Sequence, residues 1–407
     1  MASTTRKLYV FQWRGNTSKG AKIKGQLLAY NEQDARSILA EQRVHIVKIK
    51  RSSPSSWVKR KNTATAKDIT MFTRQMATML EAGVPLGETL QLLKTSAKKA
   101  EMKLIIGQIY SHIEAGSSLA QAMKSSSTLF DQFYCDLVAT GEQTGRLELI
   151  FARICVYREK GEETRSKVIK AMIYPSIVFT IALLVSIGML LFVIPTFKDI
   201  FSSFNSELPW FTQKVLGVSD ALQNYGLYMF IAIVVAGLVF KAYHQKSYQF
   251  RLKASRFSLS IPILGDVLTK ATLARFTRTL ATTFSAGIPL LNGLSAAGKT
   301  ANNTYFKQVI EDVHKQTSGG RPLHRAIQET DAFPDMMTQM VMIGEESGSL
   351  DDMLNKVAGL YEADVDNTVD NLGKILEPLI IVTLGLLIGS LVVAMYLPMF
   401  DLMSVMG

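Results

Sequence analysis

Residues 81–90 read EAGVPLGETL, and residues 285–294 read SAGIPLLNGL. The same Ala-Gly-(Val/Ile)-Pro-Leu phrase recurs 204 positions on, from Gly83 to Gly287. Upstream of the first copy, Ile69, Phe72, Met76, Met79 and Leu80 fall at three- and four-residue steps, one apolar helical stripe. Gly83 ends that stripe, since glycine takes positive φ without penalty just past a helix end. Pro85 suits the first turn of the next helix, where its missing N–H costs nothing. The phrase therefore predicts a hinge between two helices. Further helices are expected near 86–97, 102–115, 118–124, 131–140 and 147–170.

Working outward, the repeat extends in both directions. Phe276 lies opposite Phe72, Arg278 opposite Arg74 and Pro289 opposite Pro85. GRPL at 320–323 answers GSSL at 116–119, and IGEESGSLDDM at 343 answers TGEQTGRLELI at 140. By then the offset is 203, so one residue has been lost between. Gly141-Glu142 with Gly145, and Gly344-Glu345 with Gly348, read as a helix end, a tight turn and a new start. Pro175 and Pro195 are expected to open and close an apolar span, as are Pro378 and Pro398.

Three long stretches carry no charge: 171–197, 221–240 and 378–400. About 20 apolar residues span a bilayer as a helix. One repeat is then a helical bundle plus one outgoing span, and the second span is a return crossing that keeps both bundles in one compartment. Parallel repeats without midplane ionisable residues argue against a transporter built on inverted repeats. MASTTRKLYVFQWRG, at the start, has no apolar core after its basic residues and does not read as a cleavable signal.

The expected fold class is mainly α: an integral membrane protein with two duplicated cytoplasmic all-α bundles, three transmembrane helices and a small N-terminal ββαβ module. The module covers 1–50, with Gly15 and Gly20 bracketing its first turn and Asn31 as N-cap of its helix. A basic Ser-rich linker follows at 51–67, in which Trp57 is either an interfacial anchor or a lone aromatic. The first bundle takes 68–170, the first span 171–197, a periplasmic loop 198–220 and the second span 221–240. A cytoplasmic connector occupies 241–271, the second bundle 272–376, the third span 377–400 and a periplasmic tail 401–407. The net charge of +11 follows the bias of Lys and Arg toward cytoplasmic segments, and no nucleic-acid recognition motif accompanies it. Cys135 and Cys155 are read as reduced, helix-borne thiols. The five histidines show no metal-ligand spacing, and no metal is expected.

GLSAAGKT, Gly293 to Thr300, fits the pattern G-x-x-x-x-G-K-[ST]. A phosphate loop needs a buried strand ending at the first glycine and a helix starting at the lysine. Here a helical hinge precedes, so Gly293, Gly298, Lys299 and Thr300 are read as a chance match, with no cofactor. Glu142, Glu345, Glu346, Asp351 and Asp352 are read as solvated helix starts rather than catalytic pairs. Gly385 and Gly389 form a G-x-x-x-G that lets helices approach, a pattern also common by chance in apolar sequence.

The duplicated bundle, both hinges, both G-E-x-x-G-x-L turns and the Tyr174-Pro175 entry resemble, over nearly the whole chain, the inner-membrane platform family of type II secretion and type IV pili. VIPTFKDIFSSFNSELPWFT, residues 193–212, is most like the pilus branch. The resemblance implies a non-enzymatic scaffold in a bacterial inner membrane. Its implied partners are separate hexameric pilus ATPases on the cytoplasmic side, pilin subunits in the membrane, other inner-membrane alignment proteins and further copies of itself. It implies an architectural role for Gly83, Pro85, Gly141, Glu142, Gly145, Pro175, Gly287, Pro289, Gly344, Glu345, Gly348 and Pro378.

Overall fold

The computed structural model describes residues 9–17, 22–29, 31–41, 44–52, 62–197, 209–262 and 264–406. Trp57, Gly20 and residues 198–208 of the expected loop lie outside them. The chain divides into two units. One holds Met1–Glu162, Arg275–Thr300 and Ile310–Val357; the other holds Glu163–Ala274, Ala301–Val309 and Ala358–Gly407.

In the first unit, β1 (Tyr9–Thr17), β2 (Lys22–Ala29), α1 (Glu32–Glu41) and β3 (Val44–Ser52) form the expected ββαβ module. β1 is the central strand, antiparallel to both neighbours. Its inward residue Phe11 packs with Ala29 and Ala35. Gly15 is not at a turn but inside β1, at the irregularity in its pairing with β3. A Cβ there would stand 2.5 Å from the His45 carbonyl oxygen, so close backbone approach selects the glycine.

The helices of this unit begin with α2 (Ala66–Glu81), which buries Ile69, Phe72 and Met76 on one face. Asp68 accepts the Thr65 N–H at 2.7 Å and pairs with Lys99 at 2.6 Å. Partial burial works to raise the Asp68 pKa, but these bonds outweigh it and hold the carboxyl below its ordinary range. Gly83, at φ +79°, turns the chain, and the Val84 N–H bonds the Met79 carbonyl at 2.9 Å. Pro85 is the N-cap of α3 (Leu86–Ser96), one place earlier than the first helical turn. Next come α4 (Ala100–Glu114), α5 (Leu119–Ser126) and α6 (Gln132–Thr144). The buried Tyr134 hydroxyl is satisfied by Thr73 at 2.9 Å.

Beyond α6 the expected boundaries change. α7 (Leu147–Gly188) is one helix of 42 residues, passing into a π-helical turn at Met189–Val193. Pro175 lies inside it, and Pro195 lies in the helical residues 194–197. α8 (Trp210–Lys246) begins well before 221, so the latter part of the expected loop is helix. α9 (Tyr248–Ser260), α10 (Leu264–Ser285), α11 (Leu290–Thr300), α12 (Thr304–Ser318), α13 (Leu323–Gln328) and α14 (Asp335–Ser347) follow. α15 (Leu350–Met406) is a single 57-residue helix that contains Pro378 and takes in 401–406, the expected tail. Pro175, Pro378 and Pro398 therefore lie inside continuous helices. Polarity changes along these segments while the backbone stays helical, and a helix can absorb an interior proline when neighbouring groups satisfy what it frees.

Three described helices, α7 with its extension, α8 and α15, are each long and apolar enough to cross a membrane. α9 and α10, bent by 111°, count as a fourth only if taken as one broken span. Within the second unit, the Thr212 hydroxyl donates to the Ala394 carbonyl at 2.8 Å. The Ser219 hydroxyl donates to the carbonyl of Leu190, inside the π turn. Lys167 on α7 pairs with Glu163 at 3.2 Å and with Asp366 on α15 at 2.9 Å. Asp366 is the residue that the 203-position offset lays on Glu163.

Candidate functional site

Glu142 stands in the last turn of α6, half-buried, not at a helix start. Its Oε1 accepts the Leu119 N–H at 2.7 Å and its Oε2 the Ala120 N–H at 3.4 Å. These are orphan donors at the start of α5, so one carboxylate caps another helix. Glu345 repeats the arrangement from the end of α14. It accepts the Leu323 N–H at 2.7 Å and the His324 N–H at 2.9 Å at the start of α13. His324 Nδ1 adds a contact at 2.6 Å that the first copy lacks. The reading of these two glutamates as solvated helix starts is thus corrected. A carboxylate is disfavoured at its own helix C-terminus, and the N-terminal dipole of the capped helix offsets that. Asp351 and Asp352 do lie in the first turn of α15.

The preceding glycines have a different task. A Cβ at Gly141 would sit 2.8 Å from Ile150 Cγ1, and one at Gly344 would sit 2.9 Å from the Leu350 Cα. Each lets the next helix close onto the one carrying the glutamate. Backbone conformation pairs the copies as well: the positive-φ glycines are Gly83 and Gly287 (+79°, +82°), Gly116 and Gly320 (+84°, +90°), and Gly145 and Gly348 (+69°, +70°). In sequence, the first and third pairs stand out by their turn chemistry, whereas Gly116 and Gly320 are marked only by their alignment.

Gly293–Thr300 forms the body of α11. Gly293 is buried against α10, where a Cβ would meet Thr283 Oγ1 at 2.6 Å. Gly298 faces Ile310, and the Thr300 hydroxyl donates to the Ala297 carbonyl at 3.0 Å. Their backbone groups are spent on helix and packing, and the element directly before them is the helix α10.

The second hinge packs on the first bundle: Ile288 and Ala296 belong to the same buried core as Phe72, Leu137 and Phe151. Beside that contact lies a cleft of about 390 Å³, bordered by Asp136, Thr140 and Gln143 of α6 and by Pro289, Asn292 and Lys299. Among the described residues, their own helix backbone aside, nothing stands within 4 Å of a Cβ added at Gly385 or Gly389 on α15. Among the described residues no group of His, Cys, Asp and Glu could hold a metal ion. Cys135 and Cys155 are buried and unbonded to each other. Burial pushes Cys135 up to about 12; burial, with the Glu159 contact, pushes Cys155 up to about 11.

Comparison with known families matches the chain twice, over the ranges that carry the two Gly-Glu caps. The model for type II secretion system (T2SS) protein F matches residues 72–195 and again 276–398. The chain belongs to the type II secretion system protein F family. The family's N-terminal domain model matches residues 1–50, the segment that holds the sheet module. Among curated relatives, the type IV pilus assembly protein TapC of Aeromonas hydrophila is 43% identical over 402 residues, 99% of this chain and 97% of that one. The type IV pilus assembly protein PilC of Pseudomonas aeruginosa is 43% identical over 340 residues, 84% of this chain and 91% of that one. The type II secretion system protein F of Aeromonas hydrophila is 30% identical over 339 residues, 83% of this chain and 87% of that one. In this family member, the residues common to both copies build helix caps and close helix crossings.

Proposed function

We propose that this chain is the inner-membrane platform of a type IV pilus machine, a non-enzymatic scaffold. It couples cytoplasmic assembly and retraction ATPases to the insertion and removal of pilin subunits. The observation that carries this reading is the 43% identity to TapC along 99% of the chain, against 30% for a type II secretion protein F. A secretion platform is the second reading, supported by that lower identity.

In the proposed topology the N-terminal module and the bundles at 68–170 and 272–376 are cytoplasmic. The spans lie within 171–197, 221–240 and 377–400, and the C-terminus is periplasmic. Lys and Arg flanking the spans at 158–170 and 241–256 support this orientation. Two physical features support a mechanical role. α7 and α15 are each one continuous helix, with no linker in which a displacement would dissipate. The capping glutamates fix short helices that would otherwise fray. Other inner-membrane alignment proteins and further copies of the chain complete the proposed partners, with Gly385 and Gly389 as one surface for self-association. Co-purification of the pilus assembly ATPase with the detergent-solubilised full chain tests the coupling. Retention of the ATPase is expected, and its loss under conditions that keep the chain folded would count against the reading.

A further inference from the structure

Residues 241–265 contain Lys241, Lys246, Arg251, Lys253 and Arg256 and not one Asp or Glu. Among the described residues none of these five cations forms an ion pair, whereas Asp266, the first acid beyond them, pairs with Lys270 at 2.8 Å. The segment begins at the end of α8, directly after the uncharged stretch that ends at Phe240.

Its geometry is fixed at both ends. Ser247 is extended, at φ −103° and ψ 117°, and its side chain caps α9 by accepting the Phe250 N–H at 3.3 Å. The Phe250 ring then packs on Phe240 at 5.4 Å and Tyr243 at 5.7 Å. α9 therefore folds back at Ser247, and its first turn lies level with Phe240, the last residue of the uncharged stretch of α8. Further along, the Ser255 hydroxyl accepts the Thr304 N–H at 3.2 Å, and the Arg256 guanidinium stands 5.1 Å over the Tyr305 ring. Pinned this way, α9 leaves one open face of Gln249, Lys253, Arg256, Phe257 and Ser260. Phe257 is 71% exposed, and Tyr243 and Tyr248 are exposed nearby.

We propose that α9 lies in the headgroup layer of the membrane and binds anionic phospholipid headgroups through Lys246, Lys253 and Arg256, with Phe257 inserted among the acyl chains. Cations without acids, aromatic rings and the end of an apolar helix at one level are the elements of an interfacial anionic-lipid site. Three cations in thirteen residues also make α9 costly as half of a buried span. The inference rests on the membrane reading above.

The test uses the full chain carrying Phe257→Cys, labelled with an environment-sensitive fluorophore; the two native thiols are buried. It is reconstituted into vesicles of phosphatidylcholine, with or without phosphatidylglycerol. Quenching by a nitroxide on the upper part of the acyl chain is expected, stronger with phosphatidylglycerol. The purified chain should retain phosphatidylglycerol selectively. Lys253→Gln and Arg256→Gln should each lower that retention about fivefold. Co-flotation with an unquenched, water-exposed label, or undiminished retention in the double variant, would overturn this inference alone. Failure to co-float with either vesicle would overturn the membrane reading and this inference together.

Discussion

The carboxylate of Glu142 accepts the backbone N–H of Leu119 at 2.7 Å, from the end of α6 to the start of α5. Glu345 does the same for Leu323, also at 2.7 Å. Removing the acceptor leaves part-buried donors without a partner, which costs about 1–3 kcal/mol. Glu142→Ala and Glu345→Ala should each destabilise by that amount in denaturant unfolding of the detergent-purified chain. Glu142→Gln, which keeps an acceptor without the charge, should lose less. Equal loss in both substitutions would mean that charge alone matters.

Gly141→Ala should destabilise through its clash with Ile150, because backbone and core must shift to accept a Cβ at 2.8 Å. Gly161 on α7 has open space around its Cβ position. Gly161→Ala should therefore stabilise by about 0.5–1 kcal/mol, the helix-interior difference between the two residues. Opposite signs in one melting assay check the packing account.

The buried thiols give a pH dependence. Below the ordinary thiol value of 9.0, Cys135 and Cys155 are neutral whether the chain is folded or not. Between that value and about 11 to 12, they ionise in the unfolded chain and remain neutral in the folded one. Stability should therefore fall as pH rises above 9.0. In a Cys135→Ala/Cys155→Ala double variant, the fall from the alkaline limb should be smaller. Identical pH profiles would contradict the burial argument.

GLSAAGKT should bind no nucleotide, since its backbone N–H groups lie within α11. Equilibrium dialysis of the purified chain with ATP should show no saturable site. A site abolished by Lys299→Ala would refute this.

Much of this fold was legible from EAGVPLGETL outward. The echo at Ser285 set the frame that paired Glu142 with Glu345 and Gly145 with Gly348, and Gly83 carries the positive φ that its Gly-Val-Pro context demands. The cap itself was not legible. Its two halves, G-x-x-L and G-E-x-x-G-x-L, are local motifs twenty-odd residues apart, and nothing in either names the other as its partner. The continuity of α7 through Pro175 is hidden for a different reason. Pro175 lies close to where polarity changes, so 147–170 and the span from 171 read as two elements although the helix is one. Backbone hydrogen bonding is indifferent to that change, so α7 runs through it. The exposed face of α9 was visible only as a run of charge. Its placement depended on Phe250 finding Phe240, a contact that no periodicity announces.

The central claim is that this chain is the platform on which type IV pilin is assembled. An in-frame deletion in the source bacterium, with surface pili counted by electron microscopy, tests it most directly. Loss of fibres with pilin retained in the membrane is expected, with restoration by the full chain supplied in trans. Normal piliation in the deletion, or loss of type II secretion with pili intact, would contradict it.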